Sequence, residues 1–211
     1  MNNIIRLSIV LTLITAIAAF VLAEIYRITK PQIELQKKAK TLQALQIVMP
    51  SAKLIVPVER KVDVKDNKGN VLYRKSVVEY YKGFANPDTT GLVGYAFEAY
   101  GSGYSSVVET MVGVDTTGKI GKIKIISQKE TPGLGARCVE NEPFTGKKWT
   151  TEQFVGKGIS ELKVDKDGGP IVSITGATIT SRAVTNSIRE KLKTFLAKIK
   201  PEHKITAEDS E

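Results

Sequence analysis

The 211-residue sequence has one cysteine and one histidine. Cys138 alone builds no iron-sulfur cluster, CxxCH haem site, zinc knuckle or internal disulfide, since each needs at least two thiols. His203 stands in a polar C-terminal stretch, which leaves a Ser/His/Asp triad or a His-rich metal site without material. No side chain is therefore assigned as catalytic and none as a metal ligand. Redox or transfer chemistry, if the chain performs any, must come from an organic cofactor. Internal repeats and low-complexity tracts are also missing. Lys and Arg number 31 against 22 Asp and Glu, a net charge of +9, but the two signs are interspersed and no aromatic-basic motif accompanies them, which excludes nucleic acid as a partner. With 42% apolar and 25% charged residues the chain has ordinary material for a core, and its length fits one domain with an attached segment.

Residues 7–23 carry no charge, between Arg6 on one side and Glu24, Arg27 and Lys30 on the other. As a helix this run covers ~25 Å, and Ile4, Ile5, Ile25 and Tyr26 extend it toward the ~30 Å of a bilayer core. A transmembrane helix is the leading reading; its rival is a cleaved signal peptide, with Val21-Leu22-Ala23 as the processing site. Arg27, Lys30, Lys37, Lys38 and Lys40 follow the run, and local charge counting would keep the rest of the chain cytoplasmic, although the rule weakens for long translocated domains. The organisation expected is an anchor over 1–29, a linker or stalk helix over 30–50, a domain over 51–200 and a polar tail over 201–211.

After Pro31, residues 33–49 show near-helical apolar spacing, ended by Pro50 and Ser51. Period-2 patterning then predicts strands at 54–59, 71–84, 92–100, 107–114 and 119–127, with turns at 66–70 and 115–118. Lys122 and Lys124 alternate with Ile123 and Ile125, as on a sheet with one wet face. Val184, Ile188, Leu192, Phe195, Leu196 and Ile199 form one helical stripe, and Pro201 is expected to stop it. These patterns describe an α+β chain: one N-terminal helix, a mainly antiparallel sheet and flanking helices.

Two segments stand out. Residues 173–181, Ser-Ile-Thr-Gly-Ala-Thr-Ile-Thr-Ser, gather five hydroxyls at a helix start. One hydroxyl suffices for an N-cap; the alternative is an anion site, where a Gly turn and free N–H groups face a phosphate. Residues 128–138, Gln-Lys-Glu-Thr-Pro-Gly-Leu-Gly-Ala-Arg-Cys, are either a plain turn or a glycine-rich backbone that a flat ligand can approach closely. Tyr100-Gly101-Ser102-Gly103-Tyr104 admits the same two readings.

In this order, GSGYSSVVETMVGVD over 101–115, KETPGLGARC over 129–138 and SITGATITSRAV over 173–184 resemble the FMN-binding domain of the G subunit of the Rnf electron-transport complex, a family related to the C subunit of the sodium-pumping NADH:quinone reductase. The resemblance runs from the anchor through the final helix, and S/T-G-A-T followed by T-S is its most specific element. It implies FMN joined through a phosphoester to Thr178, installed by a flavin transferase with FAD as donor. The other implied cofactor-binding positions are Thr175, Gly176, Ala177, Thr180, Ser181, Glu130, Thr131, Gly133, Leu134, Gly135 and Tyr104, with Glu130, Gly133 and Leu134 touching the ring and Tyr104 flanking it. Val172 occupies the position where the transferase-recognition pattern usually has an acidic residue. The implied role is that of a single-pass inner-membrane electron carrier with its FMN domain on the extracytoplasmic side, within a translocase that couples ferredoxin/NAD electron transfer to ion movement. Chain length favours the Rnf protein over its longer relative. The alternative is a membrane-anchored binding or scaffold module without cofactor, or the related quinone-reductase protein.

Overall fold

The computed structural model describes residues 2–67, 69–139 and 149–208. Lys68 of the expected turn and residues 209–211 of the expected tail lie outside the described residues. The chain forms two compact units, Met1–Leu42 and Gln43–Glu211.

The first unit belongs to one helix, α1 (Asn2–Val48), with Pro31 inside it. The apolar run and the polar stretch after Pro31, read separately in sequence, are therefore one continuous helix. Proline removes a single N–H, the one that would bond the carbonyl of Arg27, and good helix formers on both sides carry the helix past it. By length and composition α1 is long and apolar enough to cross a membrane. Thr12, Thr15 and Thr29 donate their hydroxyls to the carbonyls of Ser8 (2.8 Å), Leu11 (3.0 Å) and Ile25 (2.7 Å), so these polar groups are satisfied without water.

The second unit is built on a five-stranded antiparallel meander: β1 (Leu54–Lys65), β2 (Val71–Phe84), β3 (Leu92–Ser102), β4 (Val107–Asp115) and β5 (Ile120–Ser127), adjacent in chain order. The β4–β5 turn is as its sequence predicts. The Asp115 carboxylate accepts from the Thr117 N–H (2.9 Å), the Thr117 hydroxyl (2.7 Å) and the Lys119 N–H (2.9 Å), and Gly118 takes φ +86°. β1 is longer than the predicted 54–59, because the alternation of Val62 and Val64 with charged residues continues through Lys65.

The last helix, α2 (Thr178–Glu208), covers one face of the sheet. Its stripe of Val184, Ile188, Leu192, Phe195 and Ile199 is buried against Tyr95, Phe97, Val108, Val112 and Ile123, each such side chain contributing about 1.5–3 kcal/mol. Phe195 meets Tyr80 and Tyr95 edge-on, with ring centroids 5.3 and 5.2 Å away. Pro201 does not stop the helix, which continues to Glu208; near a helix end a proline removes only one of the last bonds, here to the Ala197 carbonyl. On the opposite face, Ala44, Leu45, Val48 and Met49 pack on Ala96 and Met111. Gly113 permits that approach, since a Cβ there would lie 2.4 Å from the Val48 carbonyl oxygen.

Between β5 and α2, the described chain forms four short 3-10 helices, Gly135–Val139, Thr151–Phe154, Ile159–Glu161 and Asp165–Asp167, none of which periodicity had marked. Cys138 is buried within the first, and its carbonyl accepts from Trp149 Nε1 at 3.2 Å.

Candidate cofactor site

Three segments far apart in sequence converge on the carboxylate of Glu130. From the β3–β4 loop, the N–H groups of Tyr104 (3.0 Å), Ser105 (3.0 Å) and Ser106 (2.8 Å) and the Ser106 hydroxyl (3.2 Å) donate to it. From the first turn of α2, the Thr180 hydroxyl donates at 2.6 Å. Glu130 itself follows β5, where its own N–H donates to Gln128 Oε1 at 2.6 Å. Both Glu130 and Thr180 are buried. Burial pushes the Glu130 carboxyl up, but the Thr180 hydroxyl and the Tyr104, Ser105 and Ser106 amides together outweigh it and hold the group at about 2. The carboxylate is thus ionised at neutral pH, and its acceptor capacity is spent on tying three loops together.

Two glycines exist because of this clamp. A Cβ at Gly103 would stand 2.6 Å from Glu130 Oε1, and one at Gly135 would stand 2.6 Å from Thr180 Oγ1 and 2.7 Å from Glu130 Oε2. Gly133 is different: its φ of +74° makes the turn, and a Cβ there would meet nothing within 4 Å. The turn is closed by the Thr131 carbonyl, which accepts from the N–H groups of Leu134 (3.1 Å) and Ala136 (3.2 Å).

The five hydroxyls of 173–181 divide by role. Ser173 donates to the Asp165 carboxylate, which also accepts the Ser173 N–H at 3.1 Å. Thr180 is committed to Glu130. Ser181 accepts the Ile174 N–H at 2.9 Å and donates to the Ala177 carbonyl at 3.1 Å. Among the described residues, the hydroxyls of Thr175 and Thr178 have no protein partner, and the first-turn N–H groups of Thr178, Ile179 and Thr180 have no protein acceptor. Thr175 lies exposed on the turn, and half-buried Thr178 is the first residue of α2. A phosphate joined at Thr178 would meet these donors at the positive end of a long helix.

Gly176, at φ +79°, lets the chain turn into the helix, and Leu134 Cδ2 would lie 3.1 Å from a Cβ placed there. The Glu130 loop and the helix start are therefore in contact. Tyr104 (74% exposed), Leu134 (45%) and Ile179 (50%), one from each clamped segment, present apolar surface to solvent. A groove of about 670 Å³ begins at Ile179 and runs between α2 and the edge of β3, past Tyr100, Gly101, Arg182 and Asn186.

Sequence reasoning missed Arg182, one turn beyond Thr178 on the same helix side, which grips Asp167 through Nε (3.1 and 3.0 Å) and Nη2 (2.6 Å). The hydrogen bond from Arg182 holds the Asp167 carboxyl below its usual range. The Ser173 hydroxyl does the same for Asp165. Val172 is clamped through its backbone by Gln153, which accepts its N–H at 2.8 Å and donates to its carbonyl at 3.4 Å. Of the positions named from sequence, Glu130, Thr131, Gly133, Leu134, Gly135, Tyr104, Thr175, Gly176, Ala177, Thr178, Thr180 and Ser181 all lie on the three converging segments. Gly103, Ser105 and Ser106 belong with them, and the only sequence signal for these was the glycine-serine run itself.

Comparison with known proteins places the chain in a family. The FMN-binding domain family matches residues 103–193, the stretch that contains all three segments. The G subunit of the Na(+)-translocating ferredoxin:NAD(+) oxidoreductase complex of Acetobacterium woodii is 34% identical over 90% of this chain and 90% of its own. The G subunit of the ion-translocating oxidoreductase complex of Methanosarcina acetivorans is 31% identical over 89% and 92%. Among solved structures, the C subunit of the Na(+)-translocating NADH-quinone reductase of Parabacteroides distasonis is similar at 19% identity, covering 78% of this chain and 94% of that one with a TM-score of 0.49. With identity above 30% over about nine-tenths of each relative, this chain belongs to the family of G subunits of Rnf-type ion-translocating oxidoreductase complexes.

Proposed function

We propose that the chain is a membrane-anchored electron carrier holding FMN through a phosphoester at Thr178, in an Rnf-type complex that couples ferredoxin/NAD electron transfer to ion translocation. The observation that carries this reading is the division of hydroxyls at the start of α2. Ser173, Thr180 and Ser181 meet the structural needs of the turn, which leaves the hydroxyls of Thr175, exposed on the turn, and of Thr178, the one of the two that stands on the helix start beside unclaimed N–H donors. A pure cap, as in a scaffold module without cofactor, has no use for it.

The bound flavin would supply one- and two-electron chemistry that no side chain here supplies. The protein's part is position and electrostatics. The α2 N-terminus would favour the single negative charge of the phosphodiester, Gly176 shapes the approach to Thr178, and the Glu130 clamp fixes the segments that carry Leu134 and Tyr104. Attachment by a flavin transferase, α1 as a single membrane span and an extracytoplasmic flavin domain belong to the same reading. They rest on the motif resemblance, the length of α1 and the relatives' names. Coverage of about nine-tenths of both chains favours an Rnf-type G subunit over the quinone-reductase relative.

Ultraviolet fluorescence of the chain on a denaturing gel tests attachment. A fluorescent band after full unfolding supports the covalent carrier, and a dark band from a strain that makes the transferase supports the scaffold. Protease added to intact spheroplasts tests the side: removal of the domain supports export, and digestion only in inverted vesicles reverses it.

A further inference from the structure

β1 and β2 extend well beyond the sheet. β2 pairs with β3 only over residues 81–84, whereas it pairs with β1 along its whole length, from Val71 opposite Lys65 to Phe84 opposite Leu54. Residues 59–65 and 71–78 therefore form a two-stranded ribbon that leaves the sheet, with every residue of 71–78 exposed.

The register sorts its side chains onto two faces. Arg60 opposes Val77, Val62 opposes Lys75 and Val64 opposes Tyr73 on one face; Lys61 opposes Ser76 and Asp63 opposes Arg74 on the other. The second face is more polar: Lys61, Ser76 and an Arg74–Asp63 ion pair at 2.8 Å share it with Glu59 and a single exposed valine, Val78, opposite Glu59. The first combines three valines and a tyrosine with two cations; the carboxylate at its base, Glu79, is paired with Lys198 and within electrostatic reach of Arg60, which leaves Lys75 as the outer cation. Tyr73 is 58% exposed and Val77 45%. An isolated two-stranded ribbon is marginal in water, and apolar cross-strand pairs on a projecting ribbon contribute little while one side of them stays wet. A surface of this kind marks an interaction site.

We infer that the Val62–Val64–Tyr73–Val77 face docks on another protein subunit of the same membrane complex, at an apolar surface bearing a carboxylate that complements Lys75. This rests on the assignment to a multi-subunit complex and not on the flavin. The outer cation selects an acidic partner. The strand edges select protein over lipid: β1 is an edge strand, and β2 has no β3 partner over 71–80. Their outward amides would go unsatisfied in hydrocarbon, whereas a protein surface or its bound water satisfies them.

The test uses the full-length chain in native membranes with its complex. Tyr73 and, separately, Ser76 on the opposite face are replaced by the photo-crosslinker p-benzoylphenylalanine. Position 73 is expected to give a covalent adduct with another protein of the complex at about tenfold the yield of position 76, as a buried interface centre against a wet face requires. Adducts at 73 with lipid alone, adducts with a second copy of this chain, or equal yields at the two positions would overturn the proposal. Lys75→Glu, at an exposed position, checks the role of charge. It should lower co-purification of the docked partner several-fold with unchanged thermal unfolding and flavin fluorescence, and undiminished co-purification would contradict it. Adducts from a chain without flavin would refute the flavin assignment and leave the docking face standing; a flavin-bearing chain without adducts would do the reverse.

Discussion

The hydroxyl of Thr180 donates to the carboxylate of Glu130 at 2.6 Å, joining residues fifty apart in sequence. Through this bond the first turn of α2 is fixed to the loop after β5, and through the other oxygen of Glu130 to the Ser105–Ser106 backbone. The clamp ties together the three segments that carry the residues proposed to hold the cofactor.

Thr180→Val should remove one charge-assisted hydrogen bond and cost about 1.5–3 kcal/mol, read by urea unfolding, while gel fluorescence persists because Thr178 is untouched. Glu130→Gln should cost more, roughly 3 kcal/mol or above, since an amide brings its own N–H groups toward backbone donors. Equal stability of wild type and Glu130→Gln would mean the clamp is not made in solution.

The clamp also predicts an acid dependence. Glu130 is held at about 2, below the 4.5 of an ordinary glutamate. A carboxyl depressed on folding contributes stability that is fully present above the unfolded value and is lost as pH falls through the folded one. Urea midpoints should therefore decline between about pH 4.5 and pH 2, and the decline should be shallower in Glu130→Gln. An identical pH profile in the two proteins would remove Glu130 as its source.

Gly135 and Gly133 should respond differently to alanine. At Gly135 the new methyl would intrude on the Thr180–Glu130 bond itself, so Gly135→Ala should destabilise by several kcal/mol, as overpacking with a lost buried bond does. At Gly133 there is space, and the cost is the left-handed φ, about 1 kcal/mol. Gly133→Ala should keep its flavin and shift the absorbance or midpoint potential; unchanged spectra with lower thermal stability would make this a turn without cofactor contact.

The parts of the fold that were legible in the sequence are those set by neighbours in the chain. The Asp115 turn follows from an aspartate two residues before a threonine and three before a glycine, and the α2 stripe follows from helical spacing. Length was less legible. β1 outran its prediction, and both Pro31 and Pro201 were crossed, because a helix with good formers on either side survives the loss of one bond. The clamp was the least legible feature: every acceptor contact that defines Glu130 comes from residues 24 to 50 positions away. The pattern 173–181 showed too many hydroxyls for a cap, but only the folded chain shows which of them the turn consumes.

Thr110 offers a check on the core. Its hydroxyl on β4 is buried and has no partner among the described residues. Thr110→Val keeps the shape and removes the unsatisfied group, so it should stabilise the domain by about 1 kcal/mol. A loss of stability in thermal unfolding would reveal a hydrogen bond to that oxygen.

Thr178, alone among the hydroxyls at the start of α2, is proposed to carry the flavin. Peptide mass spectrometry of the protein, made in a host that supplies the transferase, tests it most directly, with Thr178→Ala run alongside. The predicted result is the mass of FMN less one water on the peptide containing Thr178, fragment ions that place it there, and no modified peptide and no gel fluorescence in Thr178→Ala. Modification mapped to Thr175 or to any other peptide, or fluorescence that survives Thr178→Ala, would contradict it.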